Sequence, residues 1–230
     1  MNISTTPRRV AQGLLVLCFT LASMVGAKAQ CSDFVSFPSG SVTINLTLDA
    51  FGQVNMTNAV LNANGFVKNA GCDFWLSTNP NPLNLGAYNN TPINFTCADV
   101  ATSPQTWYVR VGGLPLITDD MGPGATVVPI TVNVIDNIPP TITCPGDQVR
   151  NAGVTCTYTT VGTEFDWLTV NDNCATNITY SLTGATIGTG GNTLNGAAFG
   201  AGITTVTWTV KDNALPVANQ ATCSFTVTVN

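Results

Sequence analysis

The sequence predicts an all-β protein: two β-sandwiches in tandem behind a cleaved signal peptide. Composition, alternation and a weak internal repeat carry that prediction. Only 8% of the 230 residues are charged, and Glu164 is the only glutamate. Helix surfaces draw on Lys and Glu, whereas pleated, half-buried surfaces draw on the Thr and Val abundant here. Ser41 to Leu48 alternates strictly, with Val42, Ile44, Leu46 and Leu48 facing one way and Thr43, Asn45 and Thr47 the other. Short strands of this kind, separated by Gly/Asn/Pro turns, argue for sandwiches.

Residues 1–29 stand apart. Arg8 and Arg9 precede the apolar run LLVLCFTLASMV, which is too short to span a bilayer, and Ala27-Lys28-Ala29 follows as a cleavage site. The mature chain is expected to begin at Gln30 and to carry no membrane span. It keeps four cations, Lys68, Arg110, Arg150 and Lys211, against twelve acids, a net of −8. No basic footprint remains for phosphate backbones, so nucleic acid is excluded as a partner.

After the first strand, DAFG at 49 to 52 turns the chain and VNM at 54 to 56 is expected to start back. The repeat appears further on. TWYVR at 106 to 110 leads to GGLP, and TWTVK at 207 to 211 leads to DNALP. Aligned on Leu-Pro, Trp107 falls on Trp208, Val109 on Val210 and Arg110 on Lys211. VPITVNV at 128 to 134 then aligns with CSFTVTV at 223 to 229. Two copies of one unit are expected, at 30–135 and 141–230. The Pro-rich joint 136–140 stops strands from running through.

Seven cysteines remain after the signal, and in an exported chain they read as disulfides. Cys144 corresponds to Cys31, and Cys223 to Val128. A bridge Cys144–Cys223 between first and last strands would leave Cys31 unpaired. Cys156–Cys174 and Cys72–Cys97 would be the local bridges, each closing a loop of roughly twenty residues and worth about 3 kcal/mol in the chain-entropy view. An unpaired Cys31 would allow chains to cross-link.

PPTITCP, VNDNC, AAFGAGITTVTWTVKDN and ATCSFTVTV together resemble the hyalin-repeat (HYR) domain over about 139 to 229. That family shows P-x-I-x-C-P, D-N-C, F-x-x-G-x-T-x-V-x-W/Y and C-x-F-x-V-x-V in this order. In the first copy, AGCDFWL and INFTCAD are similar to related Ig-like repeats of bacterial surface proteins, with a departure at Val128 where the closing cysteine should be. The resemblance implies Ig-like sandwiches and a role in extracellular adhesion or spacing.

The chain has no histidine, the commonest general base and metal ligand. Ser-His and Cys-His pairs are therefore impossible, and no carboxylate pair stands in a catalytic motif; the chain is expected not to be an enzyme, and to need no cofactor unless calcium binds. The sharpest candidate for that is a triplicated spelling: VIDN at 134–137, VNDN at 170–173 and VKDN at 210–213. Asp and Asn start turns by bonding their own backbone, which is the bland reading. Calcium takes carboxylate, amide and carbonyl oxygens, and Asp136 in the joint with Asp172 and Asp212 at strand ends would suit it. Asp119-Asp120 is a second, weaker acidic pair. Of the tryptophans, Trp75, Trp107 and Trp208 read as core. Trp167, beside Glu164 and Asp166, is the sugar-platform candidate. Asn45, Asn55, Asn89, Asn94 and Asn177 head Asn-x-Ser/Thr triplets, glycan acceptors in a eukaryotic secretory path.

The expected function is a secreted or cell-surface adhesion or spacer module that meets an extracellular protein or glycan. The alternatives are a carbohydrate-binding protein using Trp167 and a polymer subunit linked through Cys31.

Overall fold

The computed structural model describes residues 31, 34–81, 88–112 and 126–230. The expected signal peptide and the Asp119-Asp120 loop lie outside them. The first part of the chain forms β1 (Val42–Thr47), β2 (Gln53–Met56), α1 (Asn58–Ala63), β3 (Asp73–Ser77), β4 (Asn89–Asn90), β5 (Ile93–Thr96), α2 (Cys97–Val100), β6 (Gln105–Gly112) and β7 (Val128–Ile135). The second part forms β8 (Thr141–Thr143), β9 (Gln148–Arg150), β10 (Thr157–Thr159), β11 (Thr169–Asn171), β12 (Thr176–Gly184), β13 (Gly188–Gly191), β14 (Ala198–Gly200), β15 (Gly202–Asp212) and β16 (Gln220–Val229).

The fold is all-β with two sheet-rich domains. In the first, β1-β7-β6-β3-β4 form one sheet and β2-β5 a second. The alternation in β1 acts as expected: Ile44, Leu46 and Leu48 enter a core with Phe74, Leu76, Val109, Ile130 and Val132. The expected return of the chain at Asp49 is not a β1–β2 hairpin. β1 pairs in parallel with β7, and β2 pairs with β5, so the turn carries the chain between sheets. A half-buried strand needs a partner and a buried face, and a strand far along the chain supplies both as well as a hairpin neighbour does.

In the second domain β13-β12-β15-β16-β9 form the main sheet, and β10-β14 and β11-β8 are short pairs. Trp208, Val206, Phe225 and Val227 line its core with Phe165 and Phe199. Both domains close in the same way. The last strand runs antiparallel to its predecessor, β6–β7 or β15–β16, and an early strand adds in parallel, β1 on β7 and β9 on β16.

The two hairpins differ in register. Trp107 stands opposite Ile130, but Trp208 stands opposite Cys223, whose repeat equivalent is Val128. The slip is two residues, which keeps every side chain on its own face. Trp208 is fully buried and donates its indole N–H to the Phe165 carbonyl at 3.1 Å. Trp107 packs half-buried on the first core against Phe95. Trp75 corrects the core reading: Phe74 and Leu76 take the inner face of β3, so Trp75 points to the other face and stays half-exposed. The aligned cations also diverge, with Arg110 buried over the Tyr88 ring and Lys211 exposed.

Cysteine pairing departs from the sequence expectation. Cys144 and Cys223 are bridged. Cys72 is joined to Cys31, not to Cys97, and Cys97 is joined to Cys174 across the two domains. Cys31 is therefore neither unpaired nor accessible, and cross-linking of chains through it is overturned. Among the described residues the free, exposed thiol is Cys156, the residue expected to pair with Cys174. Val128 occupies its core position as an aliphatic, 5% exposed, so Cys31 bridges to the start of β3 instead of to the last strand.

Candidate functional site at the junction

Each Val-x-Asp-Asn copy ends a strand. Asp136 follows β7, Asp172 follows β11, and Asp212 closes β15. Each aspartate also makes the same local bond, accepting the backbone N–H two residues on. Asp136 Oδ1 takes Ile138 N at 3.1 Å, Asp172 Oδ2 takes Cys174 N at 3.2 Å, and Asp212 Oδ1 takes Ala214 N at 3.0 Å. The turn reading is thus literally present, because a short carboxylate closes an Asx-turn.

The three turns also converge. One carboxylate oxygen from each of Asp136, Asp172 and Asp212 lies within 4.8 Å of the others. Asp136 and Asp212 are buried, at 5% and 3% exposure. At that separation and an effective dielectric of about 20, each pair of full charges repels by roughly 3 kcal/mol. Among the described residues no lysine or arginine pairs with any of them; the ion pairs present are Lys68–Asp73 and Arg150–Glu164. Burial pushes the Asp172 carboxyl above its ordinary range. The Cys174 amide opposes that rise, and Asp136 and Asp212 add to it.

Asparagines frame the cluster. Asn173 Nδ2 donates to Asp136 Oδ1 at 3.1 Å and to the Asp49 carbonyl of the first domain at 3.2 Å. Asn219 Nδ2 donates to Asp212 Oδ2 at 2.8 Å and to the Asp136 carbonyl at 3.2 Å. Three oxygens here are shielded from solvent and accept no hydrogen bond: Asp136 Oδ2, Asp172 Oδ1 and Asn173 Oδ1. A buried oxygen without a donor is costly unless something else meets its lone pairs.

The junction is also covalent. Cys97 heads α2, Cys174 follows Asn173, and their disulfide ties the first domain to the loop that carries Asp172. Gly52 makes that approach possible. Its φ is +69°, and a Cβ there would stand 2.5 Å from Cys97 Sγ and 2.6 Å from the Asn173 carbonyl oxygen. An open groove lined by Ser103, Pro104, Val134, Leu215 and Pro216 runs beside the same joint.

Trp167 is only partly exposed, short of the open platform that the sugar expectation calls for. It packs half-buried on the second core, with its indole nitrogen shielded from solvent. The acids beside it are engaged within the fold. Asp166 accepts Leu194 N at 2.7 Å and the Thr193 hydroxyl at 2.9 Å. Glu164 accepts the Tyr158 hydroxyl, Val161 N and the Arg150 guanidinium. Burial works against its charge, but these donors outweigh burial and hold Glu164 below the usual carboxylate range.

Sequence reasoning reached the three aspartates but missed Asn173, Asn219 and the Cys97–Cys174 bridge. The D-N-C spelling did place Asn173 between two of the participants.

The strands and disulfides define an all-β protein of two sheet-rich domains held by three disulfides. Residues 135–229 match the family described as the HYR domain, the family that the motifs of the second copy resemble. A search of curated proteins gave no match. Solved structures similar to this chain include cadherin and Ig domains. Human mucin-like protocadherin EC1-2 is 12% identical, with 85% of this chain and 97% of that chain covered and a TM-score of 0.29. Human protocadherin-24 EC1-2 is 14% identical, covering 84% and 96%, with a TM-score of 0.31. The N-terminal four Ig domains of Dscam1 isoform 9.44 are 10% identical, covering 85% and 46%, with a TM-score of 0.36. Among the described residues no helix is long and apolar enough to cross a membrane.

Proposed function

We propose that this is a non-enzymatic adhesion or spacer module, exported to the cell surface or medium, which holds two sandwiches, 30–135 and 141–230, in a fixed relation. The Cys97–Cys174 bridge carries this reading. A disulfide between domains persists only in an oxidising compartment, and it removes the freedom that a five-residue joint would otherwise allow. The family match and the three disulfides support the extracellular address. The partner is an extracellular protein or glycan.

Two measurements test the reading together. Fractionation of producing cells should find the protein outside the cytoplasm. Small-angle scattering of the oxidised mature chain should fit one interdomain arrangement, and a Cys97→Ser/Cys174→Ser variant a broader set. A cytoplasmic, reduced protein, or an oxidised chain as variable as the variant, contradicts it.

A further inference from the structure

We propose that Asp136, Asp172 and Asp212 form a calcium site at the junction, with Asn173 Oδ1 as a neutral oxygen beside them. This goes beyond the adhesion reading and does not depend on it.

Two independent observations point to a cation. Three carboxylate oxygens from separate strand ends lie within 4.8 Å of one another with no basic side chain among them. In addition, Asp136, 95% removed from solvent, keeps Oδ2 without any donor although Oδ1 has two. Asp172 Oδ1 and Asn173 Oδ1 are shielded and undonated in the same way. The Asx-turns thus use one oxygen of each of Asp136 and Asp172 and leave the other with no partner from the protein. A buried group of like charges with vacant lone pairs is what a divalent ion satisfies.

The donor set selects the ion class. All donors are oxygens, the chain has no histidine, and the sulfur of Cys174 is committed to a disulfide. Soft or borderline metals therefore find no preferred ligand. Calcium accepts irregular sets of carboxylate, amide and water oxygens, whereas magnesium demands near-octahedral geometry and keeps most of its water. These ligands are fixed by three separate turns, an arrangement that suits calcium. Bound there, the ion would join the joint, the end of β11 and the end of β15, and Asn173 would pass the constraint to Asp49 of the first domain.

The test uses the oxidised mature chain, stripped with chelator and titrated with calcium chloride by calorimetry, with thermal melting alongside. One ion per chain is expected, with a rise in Tm of several degrees in millimolar calcium. Asp136→Asn should lose both responses, and Asp172→Asn should weaken them at least tenfold. Asp147→Asn, an exposed carboxylate that accepts Thr226 N and lies outside the cluster, should keep them. In chelator, Asp136→Asn should melt at or above the wild type, since it removes repulsion, and this ordering should reverse in calcium. A stripped wild type that neither binds nor shifts overturns the proposal. So does an equal calcium response in the wild type and Asp136→Asn, and a magnesium response equal to that of calcium overturns the choice of ion.

Discussion

The turn at Asp49 and the turns at the junction share one chemistry and have different fates. Asp49 Oδ1 accepts Phe51 N at 2.8 Å and Gln53 N at 3.0 Å, and the residue stays exposed. Asp136, Asp172 and Asp212 make the same two-residue bond, yet they are brought together and largely removed from water. Asp49 is complete as a turn. Asp136 and Asp172 each keep an oxygen to spare, and among the described residues no basic side chain pairs with any of the three. The lesson is that a local spelling decides the turn, while topology decides whether the turn becomes a site.

The largest effect should come from separating the two regions altogether. Replacing Cys97 and Cys174 by serine opens a link across a sequence separation of 77, worth about 4 kcal/mol in the chain-entropy view. Urea unfolding of that variant should resolve into two transitions where the oxidised protein shows one. Next is Gly52→Ala, which strains a left-handed residue and drives a Cβ into Cys97 and Asn173, at a cost of about 3 kcal/mol. Gly71→Ala is the control: φ is +84° but nothing lies within 4 Å, so about 1 kcal/mol is expected by the same melts.

Asp49→Ala should cost about 1 kcal/mol, the net value of a surface turn bond, with the same loss in calcium and in chelator. The smallest effect belongs to Glu164, a carboxylate that already has its cation. Its folded pKa lies below the unfolded one, so its contribution is present above the unfolded value and lost as pH falls through the folded one. The Tm difference between wild type and Glu164→Gln should be at most about 1 kcal/mol in equivalent stability at neutral pH. It should vanish on acidification and ignore chelator throughout.

Much of this was legible in the sequence because it is periodic or repeated. Ile44, Leu46 and Leu48 declared their face by alternation, and three copies of Val-x-Asp-Asn singled out the aspartates. What escaped is long-range. Loop closure depends so weakly on length that moving from about twenty residues to nearly eighty costs only about 1.2 kcal/mol, so nearness in sequence was a poor guide to Cys97 and Cys174. Trp167 misled for a different reason. Acidic neighbours suggest an open surface, but Asp166 and Glu164 spend their oxygens on Leu194, Thr193, Tyr158, Val161 and Arg150 inside the fold. The partners of β1 and β2 escaped as well, because alternation identifies a strand without identifying what it pairs with.

If the two domains are one covalently joined unit, peptide mapping of the unreduced protein will show it. Linked peptides are expected for Cys31–Cys72, Cys97–Cys174 and Cys144–Cys223, with Cys156 open to alkylation. Recovery of Cys72–Cys97 and Cys156–Cys174 instead, with Cys31 alkylated, would contradict it and return the chain to two independently closed domains.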